Sequence, residues 1–139
     1  MNTALNRRQS DDGFSLIELL VVMIIIGLLA GIAIPLYLNQ QKNARDVSAK
    51  SDVNNVANAV IAHLANHTSL PTLTVTGRSV TVGGEAFANL SPGVVLGDIE
   101  GTNGSTWCID ATHPDGNRAN TEGYKYSSSA QIVEEGQCS

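Results

Sequence analysis

The chain contains one long aliphatic segment, from Phe14 to Leu38, and this segment constrains the fold more than any other feature. As a helix it would reach about 38 Å, which is enough to cross the hydrocarbon core of a bilayer. Beyond Asn39 the sequence is instead rich in Asn, Thr, Ser, Gly and Asp. This asymmetry predicts an apolar anchor joined to one modest soluble domain, since 139 residues leave little room for two.

Two basic residues, Arg7 and Arg8, precede the apolar segment. The positive-inside rule therefore leaves the N-terminus cytoplasmic and the C-terminal domain outside. Three ordinary alternatives compete for this segment. The first is a plain membrane anchor, and the second is a secretory signal peptide cleaved after Ala33, within the small-residue sequence Gly31-Ile32-Ala33. The third, a twin-arginine signal at Arg7-Arg8, is weaker because the flanking residues give it no support. The second alternative would release a soluble binding module that begins at Ile34.

One carboxylate, that of Glu18, interrupts the apolar segment near its start. An acid at this place costs on the order of 1 to 3 kcal/mol, so it indicates a functional role. Neither a plain anchor nor a signal peptide explains it. Cleavage between Gly13 and Phe14 would create a positively charged α-amine four residues before Glu18. The two charges can pair within one helix, or between neighbouring helices, where the pair would set their axial stagger.

The sequence Gly13-Phe14-Ser15-Leu16-Ile17-Glu18, followed by the aliphatic segment and Pro35, resembles the class III signal of type IV pilins and type II secretion pseudopilins. The resemblance covers roughly residues 13–45. It implies that residues 1–13 are a leader which a prepilin peptidase removes, and that the same enzyme N-methylates Phe14. It also implies that Glu18 neutralises the N-terminus of a neighbouring subunit during assembly.

The sequence departs from the family pattern in one respect. Asp11 and Asp12 stand where many members carry a basic residue before the glycine, so orientation depends on Arg7 and Arg8.

Pro35 removes a backbone donor and is expected to kink or loosen the helix, in a region that can unwind in filaments of the family. A G-x-x-x-G spacing within the anchor would allow close helix approach, although glycine is common in membrane helices.

The helical pattern continues after the anchor, but as a single apolar stripe on a polar helix that ends near Asn66. The stripe comprises Val47, Val53, Val56, Ala57, Val60, Ile61 and Leu64. The predicted solvated face comprises Asn39, Gln40, Lys42, Arg45, Asp46, Lys50 and Asp52. Residues 14–66 are therefore predicted to form one helix, of which residues 14–38 span the membrane and later form the filament core.

Residues 67–139 are predicted to form a head of short strands and turns. Leu73–Thr76 and Ser79–Val82 alternate as a hairpin around Gly77-Arg78. Two weaker strand signals follow, at Glu85–Ala88 and Val94–Leu96. Three successive antiparallel strands are then predicted, at Thr106–Ala111, Gly123–Ser127 and Gln131–Glu134. One face of such a sheet would cover the helix stripe, so the predicted fold class is α+β.

The two cysteines, Cys108 and Cys138, both lie in the head. They are either free thiols or, in an oxidising exterior compartment, a disulfide, and the export signal favours the disulfide. Closing a loop of about thirty residues would stabilise the fold by roughly 3 to 4 kcal/mol on the chain-entropy model.

No metal site, cofactor or catalytic centre is predicted. His63 and His67 have the spacing of a metal-binding pair, but without a further ligand a surface pair is the better interpretation. Calcium binding by Asp110, Asp115 and Asn117 is weighed against ordinary turn chemistry and is not favoured. The sequence contains no G-x-S-x-G, H-E-x-x-H or P-loop pattern, so an enzyme is not expected. His113 has no role that the sequence reveals.

The predicted function is structural. The resemblance implies a homopolymeric filament, with an assembly ATPase and membrane platform proteins as partners. Such a subunit resides in the cytoplasmic membrane of a prokaryote before assembly and in a cell-surface filament afterwards. A pilin for adhesion, motility or DNA uptake is the first interpretation, a major pseudopilin of a type II secretion system the second, and the secreted module released after Ala33 the third. Direct nucleic-acid binding is not expected, because the net charge is -5 and no four of the eight basic residues cluster.

Overall fold

A computed structural model describes residues 13–139, so the predictions on Arg7, Arg8, Asp11 and Asp12 lie outside the described residues. Helix α1 extends from Leu16 to Leu64, close to the predicted 14–66. The described residues form two compact units, one ending at Leu36 and the other comprising Tyr37–Ser139. Pro35 lies inside α1, and the kink expected there stays a prediction, as do the boundaries of leader, anchor and head.

Eight strands follow the helix. In chain order, β1 to β8 are Leu73–Thr76, Ser79–Val82, Glu85–Asn89, Val95–Leu96, Glu100–Asn103, Thr106–Thr112, Tyr124–Ser127 and Val133–Glu135. They form two antiparallel sheets, a three-stranded sheet in the order β1-β2-β3 and a five-stranded sheet in the order β4-β6-β7-β8, in which β5 also pairs with β6. The predicted hairpin is confirmed, since Thr76 pairs with Ser79 across a turn in which Gly77 has a φ of 64°.

The three successive strands predicted in the last third are also confirmed, as β6, β7 and β8. In β6 the side chains alternate as an amphipathic strand requires, with Trp107, Ile109 and Ala111 buried. Strand β5 was not predicted from the sequence.

The core of the head lies between the second half of α1 and the two sheets. The helix contributes five small or β-branched residues that are at most 1% exposed: Ala49, Val53, Val56, Ala57 and Val60. The sheets contribute Val80, Ile109 and Tyr126 among others, and the indole of Trp107 stacks on the phenol ring of Tyr126 at a centroid distance of 5.5 Å. This arrangement confirms the α+β fold class.

Two parts of the predicted helix pattern are wrong. Val47 and Ile61 were assigned to the buried stripe but are 65% and 44% exposed. Asp46 and Asp52 were assigned to the solvated face but are each only 7% exposed. The physical reason is that loops from the sheet region cover these carboxylates and donate hydrogen bonds to them, a pattern that helix periodicity does not contain.

Candidate filament-assembly segment

The first half of α1 presents an apolar surface that nothing in the described part of the chain covers. By length and composition it is a helix able to cross a membrane, and none of its most apolar stretch is buried. Its large aliphatic side chains from Leu16 to Leu38 are about half exposed or more, with Leu16 the most exposed of them. A contiguous apolar surface of this size requires lipid or other protein around it, since isolated exposure is strongly unfavourable.

The single carboxylate in this segment takes part in a capping box. The backbone N–H of Ser15 donates to Oε2 of Glu18 at 2.8 Å, and the backbone N–H of Glu18 donates to Oγ of Ser15 at 3.3 Å. Because α1 begins at Leu16, Ser15 is the N-cap and Glu18 the third helical residue, the arrangement of the S-x-x-E motif. The sequence carries this motif, but the charge of Glu18 alone did not predict its capping role.

The two residues that flank the predicted cleavage point precede the helix. Gly13 and Phe14 have no regular secondary structure, and Phe14 is 83% exposed. A Cβ atom built on Gly13 would meet no atom within 4 Å. In this uncleaved chain the nitrogen of Phe14 is a peptide nitrogen, so its ion pair with Glu18 stays a prediction.

In the head, two helix carboxylates hold two loops. Asp46 accepts three backbone hydrogen bonds, from Asn117 and Ala119 to Oδ1 at 2.8 and 3.0 Å and from Arg118 to Oδ2 at 3.1 Å. Asp52 accepts from the backbone N–H of Ser91 at 2.6 Å. Each buried carboxylate is thereby satisfied by donors from distant parts of the chain.

His113 also has a structural role that the sequence did not reveal. Its ring is 3% exposed, with Nε2 3.1 Å from the carbonyl oxygen of Pro92 and Nδ1 3.1 Å from the backbone nitrogen of Asp115. A carbonyl only accepts and a backbone N–H only donates, so the geometry requires the neutral tautomer with its proton on Nε2. The ring lies against Gly93, where a Cβ atom would stand 2.7 Å from Nε2.

The two cysteines form the expected disulfide. Cys108 on β6 is bonded to Cys138, with their Cα atoms 5.8 Å apart. The backbone N–H of Cys138 also donates to Oδ2 of Asp110 at 3.0 Å, so the residues after β8 are held to β6 at two points.

The residues weighed as metal ligands do not converge. His63 and His67 stack face to face at a ring-centroid distance of 4.1 Å, and Nδ1 of His67 lies 3.0 Å from the carbonyl oxygen of His63. Asp110 is engaged by Cys138, while Asp115 lies 3.7 Å from Arg45. Within residues 13–139 there is no group of three or more His, Cys, Asp or Glu side chains placed to hold a metal ion.

Comparison with known proteins is consistent with this geometry. The family described as the prokaryotic N-terminal methylation motif matches residues 8–34, which include the capping box and most of the apolar segment. The chain is also similar to the type II secretion system core protein G of Pseudomonas aeruginosa, with 31% identity over 65 residues. That match covers 47% of this chain and 46% of the relative, so the chain spans less than half of the length of the relative it matches. The methylation motif and this similarity support the resemblance to type IV pilins and pseudopilins, and the second half of α1 packed on antiparallel sheets is the α+β arrangement that the resemblance implies.

Proposed function

We propose that the chain is a structural subunit, a prepilin, that is processed after Gly13 and polymerised into a type IV pilus-like filament for adhesion, motility or DNA uptake. The observation that carries the proposal is the fully uncovered apolar helix surface with one carboxylate at its start. In a membrane, lipid covers this surface, and in a filament the same helices of other copies cover it. The role is structural and not enzymatic.

Processing gives the carboxylate its counter-charge. Removal of the leader by a prepilin peptidase creates an α-amine on Phe14, which the same enzyme methylates. Two opposite charges about 4 Å apart attract each other by around 4 kcal/mol at an effective dielectric of 20, before desolvation costs are subtracted. An assembly ATPase and its membrane platform then move each subunit from the cytoplasmic membrane into the growing filament.

The capping box leaves Glu18 able to serve a neighbour. Its bond to the backbone N–H of Ser15 uses Oε2, and within the described residues Oε1 has no hydrogen-bond donor. A carboxylate has about four acceptor sites, so one oxygen can hold the N-terminus of its own helix while the other accepts the amine of an incoming copy. This supports pairing between subunits, which would set the axial stagger of the helices.

The substitution Glu18→Gln tests this role because it separates charge from capping. Glutamine also serves at the third position of a capping box, so the helix start is preserved while the negative charge is lost. We expect normal leader removal but at least a tenfold loss of subunit in sheared filaments, equivalent to about 1.4 kcal/mol. Glu85→Gln, an exposed acid of the head, is the matched control and should assemble normally. Wild-type filament yield from Glu18→Gln would refute the charge role.

The mature N-terminus separates this function from release as a secreted module. Mass spectrometry of the native protein should find N-methylated Phe14 as the first residue. A first residue of Ile34 would instead support cleavage after Ala33 and a soluble product.

A second candidate function, a pseudopilin of a type II secretion system, is favoured by the name of the similar protein, type II secretion system core protein G. The two candidates differ in the phenotype of a deletion strain. Loss of surface filaments with normal protein secretion supports the pilin. Retention of exported proteins in the periplasm supports the pseudopilin.

A further inference from the structure

We propose that Ser15 is a positioning residue for leader removal. Its capping box with Glu18 starts α1 at Leu16 and thereby keeps the peptide bond between Gly13 and Phe14 outside the helix. The inference rests on the proposed processing after Gly13, and it adds a reason why the peptidase finds that bond accessible.

The backbone geometry supports this role. Ser15 contributes the first carbonyl that accepts a helical hydrogen bond, from the N–H of Leu19 at 3.4 Å. The carbonyl groups of Gly13 and Phe14 precede that point, and the space around Gly13 is open. A peptidase must reach the carbonyl carbon of its scissile bond, and a carbonyl within a helix is already bound to the N–H four residues on.

The sequence offers a competing helix start three residues earlier. Asp12 is another residue type preferred at N-caps, and a helix capped there would include Gly13 and Phe14 in its first turn. That alternative would have Ser15 at its third position, so it lacks the Glu or Gln that completes a capping box. The reciprocal pair of Ser15 and Glu18 is therefore what favours the later start.

Cleavage kinetics test the proposal. Purified full-length chain in detergent is incubated with a prepilin peptidase, and kcat/KM for leader release is followed by mass spectrometry. Ser15→Ala should lower kcat/KM about fivefold, the equivalent of the ~1 kcal/mol that an N-cap contributes. Ser15→Asp and Ser15→Thr retain a capping oxygen and should cleave within twofold of wild type.

Conservative variants distinguish helix positioning from direct recognition of the serine by the enzyme. Ser15→Asp changes the side chain but keeps a capping oxygen, so it should cleave near the wild-type rate if the cap is what matters. Asp12→Ala, with the capping box intact, is the matched control and should cleave normally. Ser15→Ala that cleaves at the wild-type rate overturns the proposal. Ser15→Asp as slow as Ser15→Ala overturns it too.

The same cleavage experiment distinguishes failure of the proposed processing from failure of the positioning role of Ser15. If the wild-type chain is not cut after Gly13, processing itself fails. If wild type and all variants are cut equally well, only the positioning role of Ser15 fails, and the Glu18→Gln filament experiment still decides the assembly role.

Discussion

At the scale of single residues, the head depends on buried polar groups as well as on apolar packing. Asp46, Asp52 and His113 are buried, and each is hydrogen-bonded to backbone groups of a distant segment. A hydrogen bond to a charged group contributes about 1.5 to 3 kcal/mol, and leaving such a buried partner unsatisfied costs a similar amount. These residues therefore fix the loops that follow β3 and β6 in place.

Asp46→Asn is expected to destabilise the head by about 1 to 3 kcal/mol. Asparagine can keep the bonds to Oδ1, but its amide group would face the N–H of Arg118 where Oδ2 now accepts. Chemical denaturation measures the change. Asp115→Asn is the control, because the Asp115 side chain is 67% exposed and its pair with Arg45 is worth under about 1 kcal/mol. Equal stability of the two variants would contradict the role of Asp46.

Tyr124 is expected to make stability fall at alkaline pH. Burial raises the pKa of Tyr124 above its ordinary value of 10.0, and the carboxylates of Asp46 and Glu135 raise it further. The pKa of Tyr124 is therefore higher in the folded chain than in the unfolded chain. The stabilisation gained by burying the neutral phenol is complete below about pH 10 and is lost as the pH rises through the pKa of the folded chain.

Thermal melts across this range test the effect. The melting temperature of wild type should fall more steeply above about pH 10 than that of Tyr124→Phe. Tyr37→Phe is the matched control for the substitution itself, since Tyr37 is exposed and lies outside the core of the head. Parallel curves for wild type and Tyr124→Phe would rule out the linkage.

Residues such as Asp46 mark the limit of what the sequence could predict. Helix periodicity places side chains on faces, and it assigned Val53, Val56, Ala57 and Val60 to the core correctly. The donors to Asp46 are 71 to 73 residues away and those to Asp52 39 residues away. No local pattern contains that information, so both carboxylates were predicted to be solvated.

At the scale of elements, strands with alternating apolar residues were predictable and β5 was not. The residues of β5, Glu100–Asn103, include no large apolar side chain and are all exposed, so they carry no period-two pattern. Only backbone pairing with β6 makes this segment a strand. Gly101 allows that pairing, since a Cβ atom there would lie 2.5 Å from the carbonyl oxygen of Thr106.

The disulfide is the covalent element that most affects head stability. Replacing both Cys108 and Cys138 by serine should lower the free energy of unfolding by about 3 to 4 kcal/mol, because it releases a loop of 30 residues in the unfolded chain. Denaturation of the oxidised and reduced wild type should reproduce the difference. The variant with both cysteines replaced has no disulfide, so reduction should not change its stability. If that variant loses less than about 1 kcal/mol of unfolding free energy, the disulfide contributes little to head stability.

At the scale of the whole molecule, the two units have opposite solvent requirements. Between Leu16 and Leu36 the large side chains of the first unit are exposed and, apart from Glu18, aliphatic, while the second unit buries its own core between the second half of α1 and the sheets. Such a division suits a subunit that changes its surroundings from lipid to a bundle of identical helices, because the head can stay folded throughout.

A fragment of residues 39–139 should therefore fold without the apolar segment. Every buried core residue lies at or beyond Ala49, so removing the anchor deletes none of them. Expressed in an oxidising compartment, the fragment should be a monomer in detergent-free buffer and unfold in one cooperative transition, as measured by analytical ultracentrifugation and near-UV circular dichroism. Val53→Asp in the same fragment places a charge in the core and should abolish the transition. A fragment that needs detergent or lacks fixed tertiary structure would mean that the head depends on the first half of α1, and assembly would then have to proceed without an independently stable head.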